Sequence, residues 1–188
     1  MEQQPGPVNW ARYNPVPIPG AVRMWTWEAF AHNAEVVSYF RWRQAPFAQE
    51  QMHSGLMLRD NSPNIGSQEV RQVSKEIQMI NLPKTENSEI ALMHDYEACW
   101  MTELDGQTAD FHYTRLMLDF YKSVRVNGGS LDIIGKNDDF RGYKLIIIPS
   151  FVHLDDKVFQ KIVSSGAKIL AGPRTGIKNS NFQIPENL

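Results

Sequence analysis

Lys144-Leu145-Ile146-Ile147-Ile148-Pro149 sets four consecutive branched apolar residues between a lysine and a proline. A run this short, with no polar alternation, is the pattern of a strand covered on both faces, as in a parallel sheet. Working outward, Ile90–Met93 and Ser130–Ile134 read as strands before it and Lys168–Ala171 as a strand after it. Helices fit Asp110–Val126 and Asp155–Val163, the first drawing its apolar content from Phe111, Leu116, Leu118, Phe120, Tyr121 and Val124 and ending at Gly128-Gly129. Strand, helix, strand, strand, helix, strand with right-handed crossovers makes a doubly wound parallel sheet of the flavodoxin-like kind. No internal repeat or low-complexity tract interrupts it.

The front of the chain has a different character. Five of the eleven prolines fall within the first twenty residues, and Trp10, Trp25, Trp27 and Trp42 are four of the five tryptophans. Residues 1–20 read as an irregular loop, because proline removes backbone donors and fixes φ. A helix fits Ala21–His32 with Asn33 as its left-handed stop, its Trp25, Trp27 and Phe30 expected to face a core. Glu35–Trp42 reads as a strand, 43–66 as a second long loop, and Ser67 to about Ile80 as a helix with Val70, Val73, Ile77 and Ile80 on one face. Pro83–Ser88 reads as a linker, dividing the chain into 1–82 and 83–188. One strand cannot make a sheet. Loop, helix, strand, loop, helix fits the closing section of a (β/α)8 barrel, a fold whose chemistry sits on the loops after the strands.

The composition narrows the function. The 188 residues carry 19 basic and 21 acidic side chains, a formal net charge of −2, which gives no field for nucleic acid or an anionic membrane. Cys99 is the single cysteine, so no internal disulfide framework and no multi-thiolate zinc site is available. No apolar stretch approaches the roughly twenty residues that span a bilayer, and Met1-Glu2-Gln3-Gln4 is too polar to open a secretory signal. A soluble, cytoplasmic protein without metal or cofactor is the expectation.

Three stretches are specific enough to resemble a known family. Met1-Glu2-Gln3-Gln4-Pro5-Gly6-Pro7-Val8-Asn9-Trp10 is the first, Trp25-Thr26-Trp27-Glu28-Ala29-Phe30-Ala31-His32 the second, and the run Tyr39-Phe40-Arg41-Trp42-Arg43-Gln44 continued to His53 the third. They resemble glycoside hydrolase family 42, the bacterial β-galactosidases built from a barrel followed by a trimerisation domain. Asp95-Tyr96-Glu97-Ala98-Cys99-Trp100, Ala109-Asp110-Phe111 and Ala171-Gly172-Pro173-Arg174-Thr175 extend the resemblance into the second half. It implies the C-terminal part of a (β/α)8 barrel, then a glutamine-amidotransferase-like doubly wound domain that ends early, since the family's chain continues past Ile184-Pro185-Glu186-Asn187-Leu188.

By the same resemblance Glu2 is the catalytic nucleophile at the end of the seventh strand. Trp10 is an aromatic wall of the galactose subsite, and Glu50 and His53 hydrogen-bond sugar hydroxyls. The residue types suit the task. A retaining glycosidase needs a carboxylate about 5–5.5 Å from a second carboxyl group that gives and then takes a proton, an indole face packs on the C–H face of a sugar, and charged groups fix its hydroxyls. The family's acid/base glutamate follows an asparagine on the fourth strand, and these residues contain no Asn-Glu dipeptide. The function implied is retaining hydrolysis of terminal β-galactosides by the parent enzyme, the chain alone being inactive and its partners being further copies in a homotrimer. The alternative is a non-catalytic trimerisation or interaction module.

Other residues have plainer readings. Glu50 and His53, three apart, could share a helix face, but no third ligand is near for a metal. Arg41 and Arg43 flank Trp42, and an isolated basic pair in a slightly acidic chain fits holding carboxylates or carbonyls at a strand end better than stacking nucleic acid. Amidotransferase-like chemistry at Cys99 would need a glycine-flanked turn that Ala98 and Trp100 do not supply. Gly172–Gly176 reads as a turn.

Overall fold

The computed structural model describes residues 1–80, 88–106 and 108–186. It divides into two compact units, Met1–Thr85 and Glu86–Leu188. Of the expected linker at Pro83–Ser88, all but Ser88 falls on residues 81–87 and, with the 82/83 boundary, lies outside the described residues.

The first unit contains β1 (Glu2–Gln3), α1 (Ala21–Ala31), β2 (Ser38–Tyr39) and α2 (Ile65–Met79). β1 and β2 are parallel, Glu2 opposite Ser38 and Gln3 opposite Tyr39. The first twenty residues are therefore not wholly irregular: two of them are a strand, recognisable only through the partner it pairs with. The second strand, expected over Glu35–Trp42, shortens to two residues because β1 offers only that much edge among the described residues. Beyond it the Phe40 N–H reaches the Gln3 carbonyl at 3.1 Å, and the pairing stops.

α1 buries Ala21, Val22, Thr26 and Ala29. This stripe of small residues replaces the expected Trp25, Trp27 and Phe30, which are only half-buried. Small side chains let α1 approach its neighbours closely, while Trp27 reaches sideways, its Nε1–H donating to Glu76 Oε2 on α2 at 2.8 Å. Gly20, the residue before α1, has no side chain to cap it. The Glu69 carboxylate from α2 does so instead, accepting from Gly20 N at 2.8 Å and Arg23 N at 2.9 Å. Asn33 takes the positive φ, 67°, that stops the helix. Asn64 caps α2, its side chain accepting from Ile65 N.

The second unit runs β3 (Ile90–Met93), α3 (Tyr96–Leu104), α4 (Tyr113–Val126), β4 (Asp132–Ile134), β5 (Leu145–Ile148), α5 (Asp156–Ser164) and β6 (Lys168–Ala171). All four strands are parallel in the order β4-β3-β5-β6. This is the doubly wound sheet expected. Alternate residues feed two cores: Ala91, Met93, Ile146 and Ile148 pack with Val158 and Ile162 of α5 on one face, Leu92 and Ile147 with Ala98, Tyr113 and Met117 on the other. Both faces need apolar residues, hence the unbroken run at 145–148. Two helix details differ from expectation. α4 starts at Tyr113 and anchors on Tyr113 and Met117, and α3 has no counterpart in the sequence reading. No helix among the described residues is long and apolar enough to cross a membrane.

Candidate active site

Parallel strands deliver their following loops to one edge, so the loops 4–20 and 40–64 both emerge at the carboxyl ends of β1 and β2. Side chains alternate along a strand. Gln3 is buried and borders a cavity with Trp25, Glu28 and Ala29 of α1, so Glu2 points to the face away from the helix and is exposed. In a barrel that face is the interior.

A backbone hydrogen bond joins the two loops, and side-chain hydrogen bonds brace the second. Ser54 N donates to the Pro7 carbonyl at 2.8 Å. Asn64 Nδ2 reaches Ser54 Oγ at 2.6 Å and the Gly55 carbonyl at 3.2 Å. Gly66, in the first turn of α2, touches the loop so closely that a Cβ there would stand 1.8 Å from the Pro5 carbonyl oxygen.

Glu50 and His53 lie in the second loop and share an anchor. The Glu50 carbonyl accepts from Arg41 Nη2 at 2.5 Å and from His53 N at 2.9 Å. Two donors on one carbonyl hold Glu50 at φ 55°, a region that costs a non-glycine residue free energy. The Glu50 side chain is exposed. His53 is 5% exposed, and its ring meets Phe40 edge-on at 5.2 Å and 80°. Neither Nδ1 nor Nε2 has a hydrogen-bond partner among the described residues, and neither has the buried Arg41 Nε. Arg41 thus holds a backbone carbonyl at a strand end, whereas Arg43 donates to the side chain of Asn61 at 3.1 Å.

Trp10 stands on the first loop, 68% exposed. Asn14 closes the turn after it, accepting from Ala11 N at 3.0 Å and donating to the Ala11 carbonyl at 2.8 Å. The structure therefore joins Glu50 and His53 through the Glu50 carbonyl, sets Glu2 on β1, and puts Trp10 on the companion loop. Ser54 and Gly66 tie the second loop and α2 to the first loop, and Asn64 braces the second loop, roles that the sequence reading did not assign. A glycine two residues beyond the capping asparagine was the only available signal. Among the described residues no three His, Cys, Asp or Glu side chains are grouped to hold a metal ion. Cys99 lies mid-helix in α3, half-buried, with Sγ 3.5 Å from Glu103 Oε1. Burial pushes its thiol pKa up, and the neighbouring Glu103 carboxylate pushes the same way, the reverse of an activated nucleophile.

Comparison with known proteins adds the following. Residues 1–80 match the glycoside hydrolase 42 family model described as β-galactosidase, and residues 88–188 match the β-galactosidase trimerisation domain model. The chain is 48% identical over all its 188 residues to the β-galactosidase BgaA of Thermus sp, covering 29% of that relative. In solved structures it is similar to the β-galactosidase of the psychrophilic Marinomonas ef1, with a TM-score of 0.93, 44% identity, and coverage of 100% of this chain and 30% of that one. It is also similar to the polyextremophilic β-galactosidase of the Antarctic haloarchaeon Halorubrum lacusprofundi, with a TM-score of 0.92, 33% identity, and coverage of 99% of this chain and 28% of that one. The chain spans about 29% of the length of the curated relatives it matches best among these.

Proposed function

Because the chain belongs to the glycoside hydrolase family 42 β-galactosidases, with the end of the barrel followed by the trimerisation domain, we propose that it serves retaining hydrolysis of terminal β-D-galactosides. Glu2 is the nucleophile. Its carboxylate attacks the anomeric carbon as the glycosidic C–O bond breaks, and a second carboxylic acid protonates the leaving oxygen. Water, deprotonated by that same group, then releases the sugar from the glycosyl ester. Trp10 packs on the sugar's C–H face, and Glu50 and His53 bind its hydroxyls.

The observation that supports this most is His53. A structural histidine this buried is ordinarily hydrogen-bonded, and leaving a buried polar group unpaired costs about 1–3 kcal/mol. Phe40 packs on the ring and the Glu50 carbonyl holds the His53 backbone, yet no described residue pairs with the ring nitrogens. Hydroxyl recognition uses both.

The acid/base group is not among these 188 residues, which contain no Asn-Glu dipeptide. On their own they are therefore expected not to turn over a β-galactoside, since orientation of both carboxyl groups supplies much of such a rate. The division at 82/83 into barrel end and trimerisation domain is supported by the two family matches, which stop at 80 and resume at 88. Membership of a trimerisation-domain family points to homo-oligomerisation, which we read as a trimer.

A chimera tests the proposal: these residues replace the matching 29% of the Thermus relative, and a chromogenic β-galactoside is the substrate. The chimera is expected to hydrolyse it, Glu2→Gln to lose at least about a thousandfold in kcat. A folded, active chimera indifferent to Glu2→Gln would refute the assignment.

A further inference from the structure

The carboxyl edge of the second unit's sheet has an opening that catalysis leaves unused. Doubly wound sheets bind ligands outside the carboxyl ends of their strands, where the strand order reverses. Here the reversal lies between β3 and β5, and protein fills it. Ser150 and Phe151, directly after β5, are 0% and 1% exposed. Gly172 presses so closely on Pro149 that a Cβ would stand 2.0 Å from its carbonyl oxygen. The opening lies one strand over, a cavity of about 500 Å3 at the ends of β3 and β4.

Tyr96 and Trp100 line one side, one turn apart on α3, 67% and 58% exposed. Their ring centroids are 6.1 Å apart with planes tilted 33°, and His94 sets its edge on Tyr96 at 4.6 Å. Lys136 and Asp138, from the turn after β4, line the other side. Lys136 Nζ lies 2.6 Å from Glu97 Oε2 and 3.9 Å from Asp95 Oδ1.

The charges select the ligand. Three carboxylates (Asp95, Glu97, Asp138) against one ammonium repel phosphates and carboxylates, and no grouping among the described residues holds a metal ion. Two exposed rings beside a carboxylate–ammonium pair suit a neutral polyol, whose C–H face packs on aromatics while its hydroxyls donate to carboxylate and accept from ammonium. We propose that this cleft binds a neutral saccharide, with Trp100 and Tyr96 as its platform and the Glu97–Lys136 pair fixing the hydroxyls. All its lining residues belong to the second unit, and the proposal does not depend on the catalytic reading.

Saturation-transfer NMR on the 188-residue chain, with lactose and galactobiose as probes, tests it. Transfer to the sugar C–H protons is expected, and it is expected to survive in the Glu2→Gln, His53→Leu double variant. Trp100→Ala should cut it at least about fivefold, the loss of one stacking ring, and Trp100→Phe should restore most of it. Should Trp100→Ala fail to fold, Tyr96→Ala and Lys136→Met take its place, each expected to weaken transfer. No transfer from the wild-type chain, or transfer unchanged in folded cleft variants, would overturn the proposal. So would transfer abolished by the Glu2, His53 double variant.

Discussion

At Gly66 the first turn of α2 lies against the Pro5 carbonyl, and the loop that follows Glu2 rests on that contact. A methyl group there meets the Pro5 backbone rather than a flexible side chain, so relief requires α2 or the loop to move. Gly66→Ala is expected to destabilise the first unit by about 1–3 kcal/mol, the usual cost of overpacking, read as a lower midpoint in denaturant unfolding. An unchanged midpoint would mean the loop is not seated on α2. The residues proposed for the site were legible as a motif, Glu2 and Trp10 in one run and Glu50 and His53 in another. Their setting was not. Nothing in the sequence around His53 tells that its ring would be buried with neither nitrogen paired among the described residues, because that depends on Phe40 thirteen residues earlier and on a carbonyl that Arg41 also holds.

Between elements, the tie of α1 to α2 has an electrostatic centre at Glu76. Its carboxylate accepts from Arg23 Nε at 2.9 Å and 3.0 Å, from Trp27 Nε1 at 2.8 Å and from Gln72 Nε2 at 2.9 Å. The hydrogen bond from Arg23, followed by that from Trp27, holds the Glu76 pKa below the usual carboxylate range. A carboxyl whose folded pKa is depressed stabilises above its unfolded pKa, and that contribution fades as pH falls through the folded value. The melting temperature of Glu76→Gln is therefore expected below wild type at neutral pH, the gap closing as the solution is taken below the ordinary glutamate range. A gap independent of pH would contradict it.

Elements were legible to the degree that burial showed in periodicity. Ile90–Met93 and Leu145–Ile148 emerge over the residues expected, because a strand covered on both faces writes a continuous apolar run, and Lys168–Ala171 emerges over its expected residues although all four are exposed. α3 buries only Ala98 and Thr102, too little for any apolar period, and its one signal was Asp95 placed to cap it, accepting from Ala98 N at 2.9 Å. In α1 the large aromatics misdirected the reading. Close approach of a helix selects small residues, and Trp27 serves through its N–H rather than its bulk.

On the scale of the whole molecule, the family match over residues 88–188 points to assembly with further copies. Apolar side chains on an outer strand agree with a need for cover: Ile169 and Leu170 on β6 are 42% and 46% exposed. Light scattering of the 188-residue chain is expected to give a trimer mass at the higher concentrations, and a monomer throughout the range would count against it. The two units differ in what they can do alone. The second has a sheet with a core on each face, whereas the first, among the described residues, has two strands of two residues each, and a barrel nucleophile is oriented by the strands around it.

The role of Glu2 is most directly open to covalent trapping. An activated 2-deoxy-2-fluoro-β-galactoside slows both steps of a retaining reaction and lets the glycosyl ester accumulate. Applied to the active chimera and followed by peptide mass analysis, it is expected to leave one deoxyfluorogalactosyl group on the peptide carrying Glu2, and none in Glu2→Gln. A label on any other carboxylate, or an active enzyme that accumulates no label, would contradict Glu2 as the nucleophile.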